Sequence, residues 1–412
     1  MKCYYRKHMV TTTLARPERA TDAAATRSGW TRSRLRELAL LPPRPGLLSL
    51  AGGLPAPELI PRAAYAAALG KVLAGDDGAL QYGQPYEPLR ERIVELMRER
   101  GVGCEPRQVL LTSGAQQALS LAAQLLLAPG GQVLMEEHVY TGLRQAVLPY
   151  RPAILTVPTD LDTGMDVDRA RTLLAGGARP AFVYTIADTH NPCGVRLGRE
   201  QRARLVALAR RFGVPIVEDD SYGLLHYDRG PLPAVRALDA EWVIYVGTFS
   251  KVIAPALRLG WLVLPPRLVA AAGVLKEAAD LECSALTQRA VARLLREGFA
   301  GHLERIRAGY RRRRGALLAA LGDHFPASVR WTRPPGGFFA WVELPRRIDG
   351  DRLCEEALAE ARVAVIPGSA FAANAPAPTN HLRLSFASCA PDEIRTAVAR
   401  LGRLLERRLA HG

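Results

Sequence analysis

From about residue 105 the chain alternates short apolar runs with longer stretches whose apolar positions recur every three or four residues. The short runs are Gln108–Thr112, Gln132–Met135, Ala153–Val157, Ala181–Ile186, Pro215–Val217, Trp242–Val246 and Leu259–Leu264. Their brevity and their content of Val, Ile and Leu predict strands buried on both faces. Between them, Ala115–Leu127 and Arg199–Phe212 have helical spacing, the latter with Leu205, Leu208 and Phe212 in phase. Strands alternating with helices predict an α/β fold with a mostly parallel, seven-stranded sheet flanked by helices. The texture then changes. A helical region from Leu268 to about Leu321, broken near Leu281–Leu286 and Gly298–Gly301, precedes Gly336–Leu344, a helix, Val363–Ile366, His381–Phe386 and a last helix from Pro391. This part predicts a smaller α+β C-terminal domain. The expected division is a polar N-terminal extension (1–28), an arm and small-domain segment (29–74), a large domain (75–295) and a small C-terminal domain (296–412).

Composition narrows the class. A chain of 412 residues, 48% hydrophobic and 23% charged, can bury a large core and divide into two or three domains. The net charge of +15 raises the question of nucleic acid. However, the arginines are spread along helical segments beside acids, as in Arg90-Glu91-Arg92 and Arg98-Glu99-Arg100, without base-stacking aromatics. No nucleic-acid partner is expected, and the cluster Arg311–Arg314 reads as a solvated helix face. The cysteines at positions 3, 104, 193, 283, 354 and 389 form no C-x-x-C pair or other metal spacing. No metal is expected, and the compartment reads as reduced and cytoplasmic. The most apolar helical stretch, Ala118–Ala128, falls short of the roughly 20 residues that span a bilayer, so no membrane partner is expected. The N-terminus has no apolar segment of the secretory kind.

Of 55 lysines and arginines only five are lysine: Lys2, Lys7, Lys71, Lys251 and Lys276. Four read as terminal, loop or helix-surface residues. Lys251 instead follows the apolar run Trp242–Val246 within a small, hydroxyl-rich turn, Thr248-Phe249-Ser250-Lys251. A chain this biased towards arginine keeps lysine where arginine cannot serve, and imine chemistry is such a case, because a guanidinium stays protonated. Partial loss of hydration at a strand end lowers an amine's pKa and frees its lone pair.

Other polar motifs fall at the carboxyl ends of the predicted strands, where open α/β sheets gather ligands. Thr112-Ser113-Gly114-Ala115-Gln116 opens a helix and suits a phosphate; alone, it is also an ordinary helix start. Asn191-Pro192-Cys193-Gly194 is by itself a turn signal. Glu218-Asp219-Asp220-Ser221-Tyr222 places carboxylates at a strand end, which also cap helices. Arg258 follows Lys251 by seven residues, ahead of another strand. A ligand bearing a phosphate, a basic ring nitrogen, a phenolic oxygen and an aldehyde would use them all; that ligand is pyridoxal 5'-phosphate (PLP).

With these residues in hand, the chain from about Arg32 onwards resembles the class I/II aminotransferases of PLP fold type I, in the branch of 2-aminoadipate and kynurenine aminotransferases. Ser49–Pro55, Leu80–Gly83, Tyr140, Pro335–Phe338 and Leu382–Phe386 add to the likeness. The resemblance implies a Schiff base and proton shuttle at Lys251, and a pyridinium partner in Asp219. It implies phenolic-oxygen contacts from Asn191 and Tyr222, and ring stacking by Tyr140. The phosphate would be held at Ser113, Gly114, Ala115, Gln116, Thr248 and Arg258, with Tyr82 reaching across a homodimer to the partner's cofactor. Arg383 would take the substrate carboxylate, with Gly53 and Asn191 close by. The implied function is amino-group transfer between an L-amino acid and a 2-oxo acid.

The chain also departs from the family pattern. Ala115 replaces a hydroxyl residue in the phosphate turn, Cys193 replaces a threonine, and Ala187-Asp188-Thr189-His190 replaces a segment with an aromatic. His190 is either an additional acid–base group or a turn residue without chemistry. The loop after Tyr82 is about two residues shorter than usual. These changes leave open a PLP-dependent elimination, replacement or carbon–carbon bond-forming reaction. An effector-sensing regulator domain would need a winged helix ahead of residue 29, where about 30 residues stand.

Overall fold

The computed structural model describes residues 37–38, 44–228, 230–374 and 378–411; the expected extension 1–28 lies outside them. A first short strand, β1 (Leu48–Ser49), lies outside the large sheet. All seven apolar runs become strands of that sheet: β2 (Val109–Thr112), β3 (Gln132–Glu136), β4 (Ala153–Val157), then, beyond the small β5–β6 hairpin (Thr159–Asp160 and Gly164–Met165), β7 (Pro180–Thr185), β8 (Ile216–Asp219), β9 (Val243–Thr248) and β10 (Gly260–Val263). Their order is β2-β10-β9-β8-β7-β3-β4. Only β10 runs against the rest, pairing antiparallel with both β2 and β9.

Alternation along each central strand fills two layers. Phe182, Tyr184, Val217, Ile244 and Val246 pack with the helix Ala115–Leu126 on one face. Val183, Ile216 and Val243 pack with the helix Arg199–Phe212 on the other. Both faces are covered, which is why these strands read as continuous apolar runs.

The helical region resolves into Pro266–Asp280, Ala285–Arg296 and Phe299–His324. Ser284 caps the second helix by accepting the Thr287 N–H at 3.2 Å. Beyond them β11 (Arg330–Trp331), β12 (Phe339–Glu343), β14 (Ile366–Pro367) and β15 (His381–Ser385) form an antiparallel sheet, while β13 (Val363–Ala364) pairs parallel with β1. The pairing of β1 brings residues 48–53 back against the C-terminal part, with the Leu50 N–H donating to the Ala364 carbonyl at 2.9 Å. The last helix, Pro391–His411, packs on Phe299–His324.

Two expectations for charged residues are corrected. Lys276 is not on a helix surface: it is 5% exposed and ion-paired to Asp280 one turn away. The Arg311–Arg314 cluster is not uniformly solvated. Arg313 is buried, donating to the Cys389 carbonyl at 3.0 Å and pairing with Glu58, and Arg314 pairs with Asp228. Periodicity marks a face as polar, but a neighbouring element still decides whether that face meets water.

Candidate active site

At the carboxyl edge of the large sheet lies a cleft of about 250 Å³. The expected residues Gly53, Ala115, Gln116, Tyr140, Asn191, Asp219, Tyr222, Thr248, Lys251, Arg258 and Arg383 all line it. They come from β8 and β9 with the turns that follow them, the helix start after β2, the loops after β3 and β7, the segment behind β1, and β15. Since β10 runs in reverse, the segment leading into it, with Arg258 two residues ahead of Gly260, meets the same edge where the parallel strands end.

Lys251 is partly buried, and its Nζ donates to the Gly53 carbonyl at 2.9 Å. Burial draws its pKa down to about 8, with Arg383 and Arg258 pushing the same way and Asp219 opposing. Asp219 is 2% exposed and accepts hydrogen bonds from Tyr184 at 2.9 Å and Ser221 at 2.8 Å. Burial raises its pKa, and the two hydroxyls only partly offset that. Its hydrogen-bond partners are neutral, so a cation brought to this carboxylate would relieve its desolvation.

Arg383 lies across the aromatic faces of Phe339 and Phe371, 4.0 and 4.6 Å from their centroids. It donates to Asn191 Oδ1 at 2.9 Å and to the Ala51 carbonyl at 2.6 Å, while its Nε, fully buried, has no hydrogen-bond partner among the described residues. Burial works against its charge, but a guanidinium keeps its proton, so the group is a ready anion receptor.

The phosphate-type turn is built from backbone. Gly114 has φ +86°, and a Cβ there would lie 2.6 Å from the Arg258 guanidinium, so only glycine fits. Gly114 also gives no side-chain cap to the helix Ala115–Leu126, leaving the N–H groups of Ala115 and Gln116 for a ligand, while those of Gln117 and Ala118 donate to the Gly114 carbonyl. Arg258 donates to the Ser113 carbonyl at 3.1 Å from a left-handed backbone, φ +48°, a conformation that costs about 1 kcal/mol. Ser113 itself turns away, its hydroxyl donating to Asp280 at 2.8 Å. Thus Ser113 and Gly114 shape the turn from behind rather than lining the cleft. Tyr82 does not line it either; it is 78% exposed.

His190 faces away from the cleft, with Nε2 3.2 Å from Glu136, both side chains buried. Asn191 thus lines the cleft while its neighbour does not. Sequence reasoning missed Tyr184, Ser221, Ser250, Ile186, Leu54, Pro255 and Phe339. Two of these were recoverable. Ser221 is two residues from Asp219, and Tyr184 is a hydroxyl inside an otherwise apolar central strand that needs a partner when buried.

Three cationic side chains and one carboxylate thus share one cleft with a backbone anion cradle. PLP fits this donor set group for group, and the unpartnered Arg383 Nε and the cationless Asp219 are the features it and an α-amino acid would satisfy. The site defines a fold-type I PLP-dependent enzyme.

Comparison with known proteins agrees. The chain belongs to the family described as aminotransferase class I and II, which matches residues 46–401, and is a PLP-dependent aminotransferase. It is 41% identical over 385 residues to the 2-aminoadipate transaminase of Thermus thermophilus, covering 92% of this chain and 95% of that one. It is 36% identical to aromatic-amino-acid aminotransferase 1 of Thermococcus litoralis, covering 92% of each. The crystal structure of LysN, an alpha-aminoadipate aminotransferase of Thermus thermophilus complexed with N-(5'-phosphopyridoxyl)-L-leucine, superposes with a TM-score of 0.88 at 38% identity, covering 95% of this chain and all of that one.

Among the described residues no helix is long and apolar enough to cross a membrane. No cluster of three or more His, Cys, Asp or Glu side chains is placed to hold a metal among them. Among the described residues Cys104, Cys193, Cys283, Cys354 and Cys389 are in no disulfide.

Proposed function

We propose that the enzyme moves the amino group of an L-amino acid to a 2-oxo acid, with Lys251 as the residue that holds the cofactor and carries the proton. The observation that supports this most is the company of Lys251: a lowered-pKa amine, a buried carboxylate with neutral partners and two separate guanidiniums in one cleft. When bound, PLP supplies an aldehyde for amine exchange and an electron-withdrawing ring. Asp219 would keep a positive charge on the ring nitrogen. Asn191 and Tyr222 would hold the phenolic oxygen, and Tyr140 would cover the ring. The Ser113–Gln116 turn, Thr248 and Arg258 would hold the phosphate. Lys251 would take up and return the proton of the substrate Cα. Analysis of products across an amino-acid panel tests the reading: 2-oxo acid should form beyond the amount of enzyme only with an acceptor present, and ammonia release would overturn it.

Arg383 is the carboxylate receptor of this reading. Arg383→Lys is expected to lower kcat/KM for α-amino acids by about 2–5 kcal/mol, since one ammonium replaces a two-point fork. Amines without a carboxylate should be affected far less. Equal losses for both would make Arg383 a structural residue.

The active unit is read as a homodimer in a reduced, cytoplasmic setting. Tyr82 and Leu80 are exposed at 78% and 76%, beside the exposed Leu281, and the Gly83 N–H donates to Glu282 at 3.0 Å, tying these loops into one surface. A second copy covering it would receive Tyr82 at its phosphate. Mixing Tyr82→Phe with Lys251→Ala subunits should yield hybrids with one intact site, and activity above the sum of the parents after subunit exchange. A fully active monomer in sedimentation would end this reading.

A further inference from the structure

Three consecutive acids lie at the end of β8, and their side chains part company. Asp219 enters the cleft. Glu218 and Asp220, two residues apart on an extended chain, take partners elsewhere. Glu218 accepts the Val235 and Arg236 N–H groups at 2.8 and 2.9 Å. Asp220 accepts from Arg100 Nε at 2.9 Å and from the Tyr245 hydroxyl at 2.8 Å. Arg100 is 1% exposed and extends a second arm to Asp188 at 2.5 Å. Its remaining nitrogen donates to the Leu232 carbonyl at 2.9 Å.

Asp188 begins the turn that carries Asn191. That turn is strained: Thr189, β-branched, has φ +51°. Gly336 and Gly337 press against it, where a Cβ on either would come within 3.0 Å of the Thr189 side chain. A turn in such a conformation persists only if its surroundings over-determine it. Asp188 supplies the anchor, within ion-pair distance of Arg196 at 3.0 Å and Arg202 at 2.9 Å as well as Arg100.

Of these three guanidiniums, Arg100 alone also grips the Asp219 strand end. We propose that Arg100 is a positioning residue whose guanidinium, forked between Asp188 and Asp220, fixes the Asn191 turn against the Asp219 strand end and so sets the spacing of two cofactor contacts. This rests on the reading that Asn191 and Asp219 meet the cofactor. Charge makes the role distinguishable from mere filling of space. Without Arg100, Asp188 keeps two arginines, whereas Asp220 keeps a hydroxyl and stands as an uncompensated buried carboxylate next to Asp219.

The test is PLP binding by the full chain, stripped of cofactor and retitrated, read as a dissociation constant and the absorption maximum of the bound form. Arg100→Lys preserves charge but reaches one carboxylate at a time, and should weaken PLP binding about tenfold, within the range seen when supporting residues behind a bound group are lost. Arg100→Met should weaken it further, and Arg100→Met with Asp220→Asn should recover most of that loss. Wild-type affinity and spectrum in Arg100→Lys would overturn the clamp. So would a double variant no tighter than Arg100→Met, which would make Arg100 a filler of volume. If Arg100→Met fails to fold, Arg100→Lys decides alone. Asp219→Asn, run in parallel, separates the premises: unchanged PLP binding and turnover there would sink the site reading, and the clamp with it.

Discussion

Lys251→Ala should abolish transamination, with kcat falling at least a hundred- to ten-thousandfold from the lost proton transfer alone. Among the described residues the Nζ donates only to the Gly53 carbonyl, so removing it leaves one satisfiable acceptor and little structural damage. Borohydride treatment of the wild-type holoenzyme should fix the cofactor to Lys251 and bleach its visible absorption. A reduced adduct on another lysine would refute the assignment. The pH dependence has a definite sign. Only the neutral amine attacks an aldehyde, and burial brings the pKa from the ordinary 10.5 to about 8. Capture of PLP by the cofactor-free protein should therefore speed up as pH rises to about 8 and then level off. Because the folded pKa is the lower one, the unfolded chain binds the extra proton between about 8 and 10.5. The contribution of Lys251 to stability accordingly grows with pH across that window.

Asp219→Asn should fold and yet lose roughly a hundred- to a thousandfold in kcat, the scale on which a preorganised electrostatic contact is worth. Folding should survive because the hydrogen-bond partners of Asp219 are hydroxyls, one on each carboxylate oxygen, so an amide can accept from one through its oxygen and donate to the other through its NH2. Catalysis should not, because a neutral amide cannot hold a positive charge on the ring nitrogen. The raised pKa of Asp219 is a property of the cofactor-free protein. A cation bound beside it removes the cause, so the carboxylate should be ionised in the holoenzyme at neutral pH. Single-turnover measurement of Cα deprotonation checks this. Near wild-type rates would refute Asp219 as the ring-nitrogen partner, since the neighbouring Asp220 is turned from the cleft to Arg100 and Tyr245.

Much of this was legible in the chain. Seven apolar runs became seven strands because burial on both faces leaves a local signature that needs no knowledge of partners. The polar motifs at their ends fell in one cleft because the carboxyl edge of a parallel sheet is a single place. The reversed strand β10 even placed Arg258 at that edge from its other end.

Other parts became visible only in three dimensions. The pairing of Leu48–Ser49 with Val363–Ala364, which brings Gly53 under the Lys251 amine, leaves no mark in two-residue strands. Tyr184 and Ser221 gain meaning only once Asp219 lies between them. Arg100 reads as one more arginine of a helical segment beside acids and Lys276 as an ordinary surface lysine, yet both are buried against acids from elsewhere in the fold or one turn away. Hydrophobic periodicity and turn chemistry are written in neighbouring residues, so the sequence by itself determined the sheet, its helices and the kind of chemistry at its edge. A charge looks the same in sequence whether water or a buried partner will surround it. Which charges were drawn inside, and which side chains they hold in place, was decided by contacts between segments tens to hundreds of residues apart.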